Sequence, residues 1–199
     1  MPPSGRMKIL LTALVIGLAG VSGLPAASQQ ADVRMQGTIE KLDAKLLVLR
    51  GNDGTASSVS LDSGTAVFTN QPSSLSAVKP GDYVASAAVK GADGKLHSKE
   101  LRIFPEALRG IGEGQRPMQA PDTLMTNASV SEVVAAPDGE VVKVTYKGGT
   151  AELIVGPQVP IIAMVASQAS DLKPGTRVFI LATKGADGAL SAKRILATN

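Results

Sequence analysis

Short runs of alternating apolar and polar side chains fill the chain from residue 33 onward, the period-two signature of strands with one buried face. In the first half the runs cover 33–42, 45–50, 55–61, 65–68, 82–90 and 95–103. Asp43-Ala44 and Asn52-Asp53-Gly54 mark tight turns between the first three, the second a strong hairpin signal. The stretch 72–78 has the chemistry of one helical turn, with Ser73 as its expected cap after Pro72. The second half repeats the order, with three strands over 130–135, 140–147 and 150–155, a further run over 160–164, a short turn through 167–172, and a hairpin over 176–184 and 189–197. Pro137-Asp138-Gly139 and Gly148-Gly149 supply its hairpin turns.

The recurrence is visible residue by residue. Residues 78–101 read VKPGDYVASAAVKGADGKLHSKEL and residues 172–195 read LKPGTRVFILATKGADGALSAKRI, twelve of 24 positions identical at a constant shift of 94. Pro80-Gly81 and Pro174-Gly175 fit a type II turn, with φ fixed by proline and a positive φ at glycine. Three strands, a helical turn and two strands, given twice, predict an all-β protein of two tandem five-stranded OB-like barrels over 32–103 and 128–199. SH3-like or sandwich-like domains are the alternative, and the helical turn between strands three and four favours the OB-like form.

Residues 104–127 break the pattern and form the expected central linker. Pro105 to Arg109 fits one helical turn ended by Gly110, and the rest lacks strand periodicity. A flexible tether would need only Gly and Ser. Here Arg102, Glu106, Arg109, Glu113 and Arg116 are interleaved with Ile103, Phe104, Leu108 and Ile111, so the linker is expected to be ordered and to dock across both barrels. Arg102, Phe104, Glu106, Arg109, Glu113 and Arg116 are therefore the candidate interaction residues.

The N-terminus changes the compartment. Arg6 and Lys8 precede an uncharged apolar run over 9–23, and Leu24-Pro25-Ala26-Ala27-Ser28 ends it with small residues. That is the layout of a secretory signal peptide over 1–28, and the run is short of the ~20 residues a spanning helix needs. A periplasmic or secreted protein is expected, with no membrane attachment after signal removal. Without Arg6 and Lys8, 18 basic residues face 17 acidic ones, so the formal charge falls from +3 to +1. Near neutrality gives no electrostatic case for nucleic acid. The aromatics Phe68, Tyr83, Phe104, Tyr146 and Phe179 are too few for a stacking platform.

Candidate chemistry is sparse. The chain has no cysteine and one histidine, His97, near Asp93; the second copy carries Ser191 in its place. One imidazole does not make a transition-metal site. Asp93 and Asp187 in Gly-Ala-Asp-Gly fit turns better than a calcium loop, which holds several acids in succession. No hydrolase motif is present, and Gly110-Ile111-Gly112-Glu113-Gly114 neither follows a strand nor opens a helix, as a phosphate loop would. Glu106 and Glu113 pair more readily with the nearby arginines than with each other as a catalytic carboxylate couple. No enzyme, cofactor or metal site is expected.

The Lys-Pro-Gly and Gly-Ala-Asp-Gly hairpins resemble an uncharacterised family of small exported bacterial OB-like domains. The run RIFPEALRGIGEGQRP over 102–117, followed by LMTNASV over 124–130, is similar to a narrower group with two such domains. Members of that group are often labelled "metal ABC transporter permease". The resemblance implies the barrel pair and no catalytic residue. It also implies a His where Gln115 stands and a Trp where Met118 stands, side chains that this chain lacks. A permease needs several spans, and the one long apolar run here is the signal segment. The expected function is an exported non-enzymatic binding or scaffold module for a cell-envelope protein or small ligand. A periplasmic accessory protein for metal or small-solute uptake is the alternative.

Overall fold

The computed structural model describes residues 31–137 and 139–198. The expected signal segment 1–28, and Asp138 of the second-half turn, lie outside the described residues. Among these the chain is all-β, with no α-helix and thirteen strands. The first half gives β1 (Ala31–Leu42), β2 (Leu46–Gly51), β3 (Ala56–Ser60), β4 (Ala66–Pro72), β5 (Tyr83–Lys90) and β6 (Leu96–Phe104). The second gives β7 (Gly114–Pro117), β8 (Thr123–Ala136), β9 (Gly139–Tyr146), β10 (Gly149–Val155), β11 (Ile161–Ser167), β12 (Arg177–Lys184) and β13 (Leu190–Ala197). Single 3-10 turns lie at Leu75–Ala77, Glu106–Leu108 and Ala169–Asp171. Ser73 does not cap the first of these; the N-cap is Ser74, whose side chain makes no capping hydrogen bond.

The pairing departs from a contiguous tandem. The strands β1, β2 and β3 close into a five-stranded barrel with β12 and β13 of the other half: β1 lies antiparallel to β12, and β13 lies parallel to β3. Reciprocally, β8, β9 and β10 close a second five-strand circuit with β5 and β6. Each half lends its Lys-Pro-Gly hairpin to the three-stranded sheet of the other. Neither 32–103 nor 128–199 therefore supplies one circuit by itself.

Both turns show the exchange in the same hydrogen bonds. Gly81 N–H donates to Val130 O and Gly175 N–H to Ile39 O, each at 2.8 Å. Lys79 O and Lys173 O each accept from the residue three further on, at 3.0 Å, and Gly81 and Gly175 sit at φ +94° and +89°. A β-carbon is costly at that φ, so the Pro-Gly pairs have their expected reason.

The crossing strands account for the exchange. β4 and β11 are longer than their sequence runs because they pair antiparallel with each other. Asn70 faces Met164 in that pairing, and these residues are 94 apart, so a pseudo-two-fold axis passes between them. A seven-residue strand carries the chain about 23 Å, which takes it from one circuit to the other. Val67 at the start of β4 belongs to the first core, with Ile39, Leu49 and Ile195. Val78, beyond β4, belongs to the second, with Val84, Leu101 and Val142. β11 runs the opposite way: its first residue, Ile161, belongs to the second core, and Leu172, beyond the strand, belongs to the first.

The segment 104–127 does not bridge the two circuits as a linker. It joins β6 to β8, neighbours of β5 in one circuit, while β4 and β11 make the crossings. Its C-terminal part is strand: β7 pairs with β8, which starts seven residues before the sequence pattern suggests because it has β5 on one side and β7 on the other. Its N-terminal part is ordered. Leu108, 0% exposed, packs with Phe68 and Met164, and Phe104, Ile111 and Leu196 pack against that cluster. No helix among the described residues is long and apolar enough to cross a membrane.

Candidate functional site

Six residues were singled out by sequence, and they divide into two sets. Glu106 and Arg109 form a two-pronged ion pair, Nε to Oε1 and Nη2 to Oε2, both 2.7 Å. Arg109 also donates to Ser129 Oγ at 3.2 Å and Gly81 O at 2.8 Å, and its guanidinium lies 5.9 Å from the Tyr83 ring centroid. Among the described residues Glu113 pairs with no arginine; its Oε1 accepts from the Lys147 backbone N–H at 2.9 Å. The contacts of Arg109 with Ser129, Gly81 and Tyr83, and of Glu113 with Lys147, pin the segment to the second circuit. The hydrogen bonds from Arg109 hold the Glu106 carboxyl below its ordinary range, and in turn raise the Arg109 guanidinium. Burial raises the Tyr83 phenol, with the Glu113 charge adding to it.

Arg102, Phe104 and Arg116 instead line a cleft of about 220 Å³ on the outer face of the second circuit. Cross-strand register explains it. Arg102 on β6, Ala85 on β5 and Asn127 on β8 stand in one row. Glu100, Ala87, Met125 and Arg116 stand in a parallel row across β6, β5, β8 and β7. Residues two apart on a strand share a face, so both rows face the same side. The floor is two methyl groups, Ala85 and Ala87. Phe104, stacked at a tilt 5.8 Å from the Tyr83 ring, forms one end.

Two polar atoms of the residues that line this cleft are buried and unpaired among the described residues: Arg102 Nε and Asn127 Oδ1. Asn127 is 5% exposed. Its orientation is fixed, because Nδ2 donates to Ile111 O at 2.8 Å, a carbonyl that also accepts from Tyr83 Oη at 3.1 Å. Arg102 Nη2 donates to Glu100 Oε1 at 2.8 Å, and Arg116 Nη1 to Gly112 O at 2.9 Å. A buried group without a partner costs about 1–3 kcal/mol. Such groups at the wall of a cleft are a reason to expect a ligand there.

Sequence reading missed Ala85, Ala87, Glu100, Met125 and Asn127 as site residues. The signal was in the repeat. In the first circuit the matching rows are Leu196–Phe179–Gln36 and Arg194–Leu181–Arg34. Phe179 and Leu181 fill the space that Ala85 and Ala87 leave open.

A larger cavity of about 660 Å³ lies where β4 ends and β11 begins, with Pro72, Leu75, Val159 and Ile162 in its wall. Its lining is mostly apolar, and the smaller cleft has the groups that can fix a ligand's orientation. Around His97, the ring Nε2 lies 3.0 Å from Asp93 Oδ2. The Asp93 carboxyl is lowered by the Lys95 backbone N–H and then by His97. Among the described residues no three His, Cys, Asp or Glu side chains are grouped for a metal ion.

Fold and site together define an all-β protein with a closed five-stranded barrel and a polar cleft on the outside of the neighbouring strand circuit. No family model matches the chain, and neither a curated protein nor a solved structure matches it.

Proposed function

We propose that this chain is an exported, non-enzymatic binding module built from two OB-like barrels with exchanged hairpins. The single observation that carries the binding reading is the pair of buried, unpaired atoms, Arg102 Nε and Asn127 Oδ1, on residues that line one cleft. The OB-like reading is supported by the parts of each circuit: a three-stranded sheet completed by a two-strand hairpin that follows a 3-10 turn, although in the second circuit the hairpin precedes the three strands in the chain. Export rests on residues 1–28, a basic start, an apolar run and small residues before Ser28. Arginine, asparagine and an alanine floor hold a ligand by charge and shape, which suits a module that binds without turning over. The alternative, an accessory protein for metal or solute uptake, has support only from the resemblance of the hairpins and of RIFPEALRGIGEGQRP to the two-domain group.

The test is native mass spectrometry on protein made in an exporting host and then exposed to a small-molecule extract of the same cells. The intact mass should start at Ser28 or Gln29, and one small molecule per chain should remain bound. Ala87→Leu should abolish that binding by filling the cleft as Leu181 fills its counterpart. A chain that retains Met1, or one that binds nothing from the extract, would overturn the reading.

A further inference from the structure

Each unpaired atom specifies what must meet it. Arg102 Nε can only donate, so its partner is an acceptor; Asn127 Oδ1 can only accept, so its partner is a donor. The two residues share a row with one strand between them, which sets their backbones about 10 Å apart. Ala85 lies between them in that row, and both residues line the same cleft. Two arginines and one glutamate give the cleft a formal charge of +1, which suits a carboxylate group. Arg116 has one Nη on Gly112 O, and the rest of its guanidinium is available to an acid. Met125 and Phe104 offer apolar wall for a short side chain.

We propose that the cleft takes a small α-amino or α-hydroxy acid. Its carboxylate accepts from Arg102 Nε and from Arg116, and its amino or hydroxyl group donates to Asn127 Oδ1. A plain carboxylate leaves Asn127 unpaired, and an amine without a carboxylate meets two arginines with no anion. The volume of about 220 Å³ suits a ligand of a few heavy atoms. The proposal rests on the binding-module reading and narrows it to a ligand class.

The test is isothermal titration calorimetry on the mature chain with four three-carbon probes: L-alanine, L-lactate, propionate and propylamine. L-alanine, L-lactate or both should bind at least tenfold more tightly than propionate, and propylamine should not bind. Ala87→Leu should weaken the binding at least tenfold. Arg102→Met, at the cleft edge, should do the same and serves if Ala87→Leu does not fold. Propionate binding as tightly as L-lactate would overturn the donor requirement. Undiminished binding in folded variants would move the site elsewhere. If none of the four binds while a species from cell extract still does, the ligand class is wrong and the module reading stands. If neither binds, both fail.

Discussion

The two circuits use one strand order and solve its interior and exterior differently. Inside the second, Ser86 and Ser98 are 1% and 5% exposed; Ser86 Oγ donates to Glu100 O at 2.9 Å and lies 3.0 Å from Ser98 Oγ, from which it can accept. The first circuit has Ile180 and Ala192 at the matching positions, both buried. Outside, the second has Ala85 and Ala87 where the first has Phe179 and Leu181. Tyr83 is covered by the Phe104–Ile111 segment, while the matching Arg177 is exposed. The first circuit thus fills its volume with apolar side chains within its own strands. The second leaves space on its outer face and has an added segment laid beside it. A repeat keeps its hydrogen-bond frame while side-chain volume is redistributed, and the cleft lies where volume was removed.

The comparison breaks most sharply at the cluster between the circuits. Leu108→Ala should cost about 2–5 kcal/mol in chemical denaturation, since the side chain is fully buried. It should do so in one cooperative transition, because each circuit holds a hairpin from the other half and cannot unfold alone. Two resolved transitions would argue for independent barrels. Next come the turns. Gly81→Val and Gly175→Val should each cost about 1–3 kcal/mol, by similar amounts, because both occupy the same positive φ in the same role. An unchanged melting temperature in either would remove the type II turn there.

The serine pair sharpens the inner difference. Ser86→Ala should cost about 1–2 kcal/mol by leaving the Ser98 hydroxyl without this partner in the core, and Ser98→Ala on that background should cost little more. Strict additivity would mean that the two hydroxyls do not act together. The smallest effect is at the rim. The Glu106 carboxyl is lowered from 4.5 in the folded chain, so its contribution is complete above 4.5 and is lost as pH falls through the lowered value. A side-chain NMR titration should place Glu106 below 4.5, and Arg109→Met should return it toward that value. Because the pair is exposed, Glu106→Gln should leave the melting temperature nearly unchanged.

Much of the frame was legible. The strands, the positive-φ glycines and the order of a segment containing Phe104 and Leu108 follow from alternation, Pro-Gly pairs and apolar spacing. The exchange was not legible, for a physical reason. The two hairpins are so alike that either can complete either sheet, and periodicity does not say which does. The deciding feature is the pairing of β4 with β11, two short apolar runs that read as ordinary strands. Domain swapping within a chain depends on such hinges. The cleft was partly legible: Arg102, Phe104 and Arg116 carry charge or bulk, while Ala85, Ala87 and Asn127 draw attention only once their register is known. Glu113, read as a partner for arginine, serves a backbone N–H because β9 brings Lys147 to it.

The exchange assembles the cleft, because it sets β5 and β6 beside β8. Isotope-edited NOE spectroscopy on the folded monomer tests it directly. Gly37 pairs with Val178 and Val84 pairs with Ala128, so cross-strand NOEs should connect Gly37 to Val178 and Ala128 to Val84. NOEs from Gly37 to Val84 and from Ala128 to Val178 would instead place each hairpin on its own half, set Asn127 opposite Phe179, and abolish the row that joins it to Arg102.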